Sequence, residues 1–369
     1  MEKTVHDLPQ ELIIEILLRL PVKSLFRFKC VCKSWLSLIC DPHFAFSHYD
    51  HVSAAHTCRL VLSSPSASEF RSMDVDASLH DDSASAVLNF NFLPPQPRYK
   101  VKKLKIVGSC RGFLLLNCYS NFYVWNPSTH VHRLIVSRRV NSTFLRFLYG
   151  FGYDPSTDDY LVVLASYDPR SADWVAGVDL FSLRANKWEQ IEESYFSYVN
   201  ASVNFRIGAL LNVAIHWLVF LHDVSMTVIV AFDLTERSFS EIPLPDDLDF
   251  IFELCDLRIL GGFLSLYVVG LHNEPTEIWV MQEYKVQSSW TKTIVVSTND
   301  IPIQYFSPLC STKCGDIVGR DGRTGLVKCD DKGQIKEHRS YCHVPHGFQA
   351  AVYTESLLSL PAANSQQAS

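Results

Sequence analysis

One phrase returns five times after residue 107: a strand ending in an aromatic or apolar residue, a polar turn, and a second strand. The copies are FYVWNPSTHVHRLI from Phe122, VDLFSLRANKWEQI from Val178, IVAFDLTERSFSEI from Ile229, EIWVMQEYKVQSSWTKT from Glu277 and, more weakly, GLVKCDDKGQIKE from Gly325. With Trp125, Phe181, Phe232, Trp279 and Val327 taken as equivalent, the steps are 56, 51, 47 and 48 residues. Another strand-like run precedes each hairpin: GFLLLN at Gly112, YLVVLAS at Tyr160, AIHWLVFL at Ala214, GFLSLYVVG at Gly262 and GDIVGR at Gly315. Two hairpins per repeat of this length make a four-stranded propeller blade. A single twisted blade cannot bury both faces, so neighbours must stack radially to form one core.

The expectation is therefore an all-β propeller of about six four-stranded blades. Trp188, Phe239 and Trp290, in the second strand of their hairpins, read as packing residues between blades. Upstream, Arg59-Leu60-Val61-Leu62 reads as a strand, while the Ser-, Ala- and Asp-rich stretches 63–68 and 77–86 read as loops. The late run YCHVPHGFQAAVYTESLLSL offers two strands without a complete hairpin after them. Pairing Arg59 to Leu62 with this carboxy-terminal sequence would close the ring and remove its exposed edges.

The amino-terminal stretch LPQELIIEILLRLPVKSLFRFKCVCKSWLSLICDPHF, from Leu8, has a helical period. Leu8, Leu12, Ile13, Ile16, Leu17 and Leu20 recur at helical spacing, with Ile14 and Leu18 between them, so the first helix is apolar around most of its circumference. Pro9 suits its first turn and Pro21 stops it. Ser24 offers an N-cap for a second helix, Lys33 to Cys40 a third, and Asp41-Pro42 an end to that third helix. Three short segments cannot bury this much apolar surface among themselves. Something else must cover the remainder.

The paired Leu-Pro steps, Val31-Cys32-Lys33, Trp35 and Asp41-Pro42-His43-Phe44 arrive in an order and spacing that resembles an F-box of the plant type. That resemblance implies a small all-α three-helix domain that binds the Skp-type adaptor of a cullin-based ubiquitin ligase. The implied adaptor-binding residues are Leu8, Pro9, Leu12, Ile16, Leu20, Pro21, Leu25, Val31 and Trp35, some of which serve internal packing. GSCRGFLLL, VWNPST, YGFGYDPSTDDYLVV, LFSLRANKWEQI, IHWLV, VIVAFDLTERSFSEIPLP, IWVMQEY with SSWTK, and YTESLLSL resemble the F-box-associated domain often grouped with kelch-type F-box proteins. The chain departs from a true kelch repeat in lacking regular Gly-Gly pairs, and carries Leu161 and Val213 where that family usually has Lys and Gly. The resulting division is 1–48 F-box, 49–106 linker with the first propeller strands, 107–360 propeller and 361–369 flexible tail.

The composition is that of an ordinary globular chain, 47% hydrophobic and 20% charged, and the net charge of -6 lacks the basic footprint of a nucleic-acid binder. Lys100, Lys102, Lys103 and Lys105 interleave with apolar residues, as on a solvated strand face. No secretory leader and no membrane-spanning run are visible, so the expected location is nucleus and/or cytoplasm, with neither membrane nor nucleic-acid partner. Eleven cysteines without paired spacing fit buried thiols. His43, His48, His51 and His56, and His338, Cys342, His343 and His346, lack a tetrahedral ligand pattern, so no metal and no cofactor is expected. Asp154-Pro155 and Asp158-Asp159 read as turn residues rather than an acid pair.

No nucleophile elbow, Walker loop, metalloprotease helix or dinucleotide fingerprint is present, so a non-catalytic receptor is expected. The alternatives are an F-box-tethered module binding a sugar or small ligand, a propeller enzyme, and a non-degradative F-box complex. Loops can vary without loss of the core, so target recognition is expected on residues 167–175, 222–226, 245–250 and 272–276. Their candidate contact residues are Asp168, Asp173, Trp174, Asp223, Asp246, Asp247, Phe250 and Asn273, an acidic and aromatic set suited to a basic or amphipathic protein.

Overall fold

The computed structural model describes residues 8–55, 57–63, 70–88, 92, 104–118, 121–137, 146–167, 176–196, 198–199, 206–221, 226–246, 248, 255–270, 274–297, 305–322, 324–341 and 348–362. Four helices lead: α1 Gln10–Leu18, α2 Val22–Phe28, α3 Lys33–Cys40 and α4 Pro42–Ala54. The expected count of three is corrected to four. Asp41 does end α3, in an extended conformation, but its carboxylate also accepts from the backbone N–H groups of His43 and Phe44 at 2.7 and 3.4 Å, and Pro42 fills the first turn of α4. The helical part thus runs to Ala54, past the boundary expected at residue 48. Ser24 lies inside α2, whose N-cap position is Pro21.

Six sheets follow around a ring, antiparallel except where the short strand Arg206–Ile207 pairs parallel with Arg146–Asp154. Blade 1 joins Gln349–Tyr353, Arg59–Ser63, Phe70–Asp74 and Ser85–Leu88, from the inside outward. Arg59 pairs with Tyr353 and Ser63 with Gln349, so the last strand of the chain closes the ring from the innermost position, as the sequence predicts. Strands at 70–74 and 85–88 complete this blade where the sequence reads mostly as loop. Blade 2 is Leu104–Cys110, Phe113–Cys118, Asn121–Trp125 and His132–Val136; blade 3 is Arg146–Asp154, Asp159–Tyr167, Ala176–Ser182 and Lys187–Phe196. Blade 4 is Ala214–Leu221, Met226–Asp233 and Phe239–Ile242, with Tyr198–Val199 and Ala209–Leu211 sharing its inner edge. Blade 5 is Cys255–Leu260, Phe263–Val268, Thr276–Met281 and Trp290–Val296, and blade 6 is Ser307–Ser311, Ile317–Arg320, Gly325–Cys329 and Ile335–Ser340.

All five repeated phrases form the third and fourth strands of a blade, and the runs before them form the second. The turn between third and fourth strands places His130, Asn186, Arg237, Lys285 and Gly333 in the left-handed region, with φ from 53° to 80°. In three of these turns an Asx side chain offsets the strain. Asn126, Asp233 and Asp330 each accept from the backbone N–H two residues on, at 2.8 to 3.0 Å. The core divides into six apolar clusters, one at each blade interface. Trp188 and Trp290 act between blades: their indole N–H groups donate to Val136 O at 2.8 Å and Pro243 O at 3.0 Å, while Phe239 packs on the cluster between blades 3 and 4.

Candidate functional site

Blades 2 to 6 turn from first to second strand, and every blade from third to fourth, at one end of the ring, and the helices dock at that end. The cluster between blades 2 and 3 is continuous with the helical core: Leu17, Val22, Leu25, Ile39, Phe44 and Ala45 pack in one body with Phe113, Phe151 and Tyr160. Leu357 and Leu358, just past the closing strand, belong to the same body. Asn126 donates from Nδ2 to Ser356 O at 3.0 Å, and Arg133 donates to the carbonyls of Leu183 and Pro361, so this tail is strapped beneath blades 2 and 3. Gly112, at φ 83°, lies so close that a Cβ there would meet the Ser356 Cβ at 2.2 Å.

Arg111, itself at φ 48°, projects from the blade 2 turn among three rings, 3.9 Å from Tyr153, 5.2 Å from Phe46 and 5.3 Å from Tyr49. A cleft of about 330 Å³ beside it is lined by Lys29, Cys40, Phe46, Tyr153, Asp158 and Ser359 among others. His48 is wholly buried in α4, with Nε2 2.9 Å from Leu20 O, and burial lowers its pKa.

The propeller leaves one apolar surface of the helices uncovered. Leu8, Leu12 and Ile16 are 58%, 49% and 51% exposed, and Val31 is 60% exposed. Pro9 and Pro21 are exposed at the starts of α1 and α2. Leu20 and Trp35 are half-buried against the shared core, Trp35 edge-on to Phe28 at 5.3 Å. Leu25 is fully buried and supports the fold from inside, which places it among those that serve internal packing. Phe26 and Leu36, exposed on α2 and α3, were not among the residues singled out by sequence. Helical spacing marks them as apolar but does not show which side the propeller covers.

Residues 168–175, 222–225 and 271–273 each join a second strand to a third, so their flanking strands end and begin at the end of the ring away from the helices. Asp168, Asp173, Trp174, Asp223, Asp247, Phe250 and Asn273 lie outside the described residues. Asp246 is described. It is exposed and accepts from Gln287 Nε2 at 2.5 Å, in the turn between the third and fourth strands of blade 5, on the helix side. The strand Phe239–Ile242 covers only half of its partner, so the chain crosses to blade 5 low on the ring.

The titratable groups near the turns serve structure. Asp154 is fully buried and accepts from Ser156 N–H and Oγ at 2.9 and 2.7 Å, Thr157 Oγ1 at 2.7 Å, and, across to blade 4, Thr235 Oγ1 at 3.1 Å and an Arg237 N–H at 3.2 Å. Burial raises its pKa, but the hydrogen bonds outweigh burial and hold it below the ordinary carboxylate value. Asp158 pairs with Arg184 and Asp159 accepts from Ser182 and from Arg184 N–H. His338 meets Asp321 at 3.1 Å, whereas Cys342, His343 and His346 lie outside the described residues. Among the described residues no cluster of three or more His, Cys, Asp or Glu could hold a metal ion, and no helix is long and apolar enough to cross a membrane. The ten described cysteines carry free thiols, and burial pushes Cys110 and Cys329 up to about 12.

Comparison with known proteins agrees with this architecture. The F-box domain profile matches residues 5–47, and the F-box associated beta propeller domain profile matches residues 62–355. The Arabidopsis thaliana F-box/kelch-repeat protein At3g23880 is 30% identical over 305 residues, covering 79% of this chain and 80% of that one. The F-box protein CPR1 of the same plant is 29% identical over 380 residues, covering 95% and 88%. The matched domains, in this order and over nearly the whole ring, make the chain a plant F-box protein with an F-box-associated β-propeller.

Proposed function

We propose that this chain is the substrate-receptor subunit of a Skp-cullin-F-box ubiquitin ligase. The uncovered row of Leu8, Leu12 and Ile16 with Val31 carries the reading: it is the surface a Skp-type adaptor would cover, and through the adaptor a cullin scaffold. The loop-bearing end of the propeller then holds a target protein. The chain performs no covalent chemistry itself; it raises the effective concentration of target lysines around an activated ubiquitin thioester supplied by other subunits. Work of this kind belongs in the nucleus and/or cytoplasm.

The test is the double substitution Leu12→Asp with Ile16→Asp. Both side chains are about half exposed, so the fold keeps its core. Loss of two contacts of roughly 2 kcal/mol each weakens adaptor capture more than a hundredfold. Wild-type recovery of a co-expressed Skp-type adaptor with the folded variant refutes the reading.

A further inference from the structure

The seam between blades 5 and 6 changes character along its length. Its outer strands are apolar even at the level of Tyr267 and beyond, at Ile278 and Val296, and its inner part is apolar toward the helices, at Leu260 and Ile317. Toward the far end it becomes polar: Asp256 and Arg258 stand on the innermost strand of blade 5, and Asp256 pairs with Tyr267. Ser307, the first residue of blade 6, pairs with Arg320 and donates from Oγ to the Tyr267 hydroxyl at 3.0 Å, both side chains being buried. Arg258 is balanced, because its guanidinium donates to the Asp256 carboxylate at 3.1 Å and to Leu257 O at 2.6 Å and lies 5.5 Å from the Tyr267 ring.

Arg320 is not balanced. Its Nε is buried without a hydrogen-bond partner, and among the described residues no carboxylate reaches its guanidinium. The adjacent Asp321 is committed to the backbone N–H groups of Thr324 and Gly325, at 2.8 and 2.9 Å, and to His338. Arg320 is half-buried, and a buried donor left unmet weakens a fold, so the place of its Nε needs another account than stability. Two arginines face one aspartate here, in a chain whose net charge is -6.

We propose that this corner of the ring, formed by Arg320, Arg258, Tyr267 and Ser307, is an oxyanion subsite that receives a carboxylate or phosphoryl group of the bound target segment. Arg320 supplies the fork of donors such a group takes, and the Tyr267 hydroxyl, which accepts from Ser307, adds its own proton as a neutral donor beside it. Asp256 sets a selectivity limit by repelling anions that do not engage Arg320. The subsite lies at the end away from the helices, so an anchored target stays clear of the adaptor. The inference rests on the receptor reading, and adaptor capture is measured alongside it to separate the two.

The test uses the full chain co-purified with its adaptor and titrated calorimetrically at fixed ionic strength. The probes are inorganic phosphate and the peptides Ac-Ala-Ser-Ala-NH2, Ac-Ala-Glu-Ala-NH2 and Ac-Ala-pSer-Ala-NH2, capped at both ends. The wild type binds at least one anionic probe and not the serine peptide. Arg320→Gln weakens that binding at least tenfold while its melting temperature stays equal or rises. Asp256→Asn tightens binding severalfold. Preference for an anionic peptide names the target side chain as the source; binding of inorganic phosphate alone supports the subsite and names the free ion. No anionic binding by the wild type, or equal binding by Arg320→Gln, overturns the proposal, and adaptor recovery unchanged in that case leaves the receptor reading standing.

Discussion

His216 offers a direct measure of how tightly blades 4 and 5 are joined. Its ring is fully buried, with Nδ1 3.0 Å from Ala209 O and Nε2 2.7 Å from the Tyr284 hydroxyl. A carbonyl can only accept, so Nδ1 carries the proton and Nε2 accepts from the tyrosine, which fixes the neutral tautomer. Burial lowers the pKa to about 4 from the ordinary 6.5. At pH 7 the ring is neutral folded and unfolded, and nothing is lost. As pH falls from 6.5 toward 4 the unfolded chain binds the proton and the folded one does not, so stability declines by about 3 kcal/mol over that window.

His216→Phe removes two hydrogen bonds and strands the Ala209 carbonyl, at a cost of roughly 2–3 kcal/mol at pH 7. It also removes the titration. The stability difference between wild type and variant, from urea unfolding, therefore shrinks from that value at pH 7 to near zero at pH 4. Other titrating groups cancel in the difference. A difference that stays constant across the series refutes the buried-neutral assignment.

Three further outcomes follow from the packing. Asp154→Ala leaves the donors of two blades facing a void and lowers unfolding free energy by about 3 kcal/mol, read by urea denaturation. Leu25→Ala opens a cavity in the shared core, costing about 2–5 kcal/mol, and reduces adaptor recovery only in proportion to the unfolded fraction. Leu357→Ser with Leu358→Ser exposes the helices to protease while the propeller strands stay protected, as limited proteolysis with mass spectrometry will show; simultaneous loss of both would refute the seam described here.

The blades were legible because a hairpin is a local object. Asn126-Pro127, Asp233-Leu234-Thr235 and Asp330-Asp331-Lys332-Gly333 announce turns within five residues, and the strands on either side alternate or run apolar. Ring closure was legible too, since an unpaired strand at each end of the chain leaves only one economical pairing. What stayed hidden depends on geometry between distant residues. Asp41-Pro42 reads as a stop and is equally a start, and only the fold shows that it does both. The setting of Arg111 among Phe46, Tyr49 and Tyr153 joins segments about sixty and forty residues apart with no shared pattern. Which end of the ring Asp246 reaches was not legible, because it depends on the early end of the strand Phe239–Ile242 and on a contact with Gln287, forty-one residues on. The exposed α1 row was readable as surplus hydrophobicity, but its division from Leu17 and Leu25 required the propeller to choose a side.

The innermost place of Gln349–Tyr353 sets an order on biosynthesis. Synthesis delivers the helices before the closing strand, so an emerging chain makes the strands of blades 2 to 6 with blade 1 open and with Leu357 and Leu358 still absent from beneath the helices. A product truncated before residue 349 lacks both the closing strand and the floor under the helices. Ring closure and the seating of the helices are therefore completed together, by the same short stretch, 349–358.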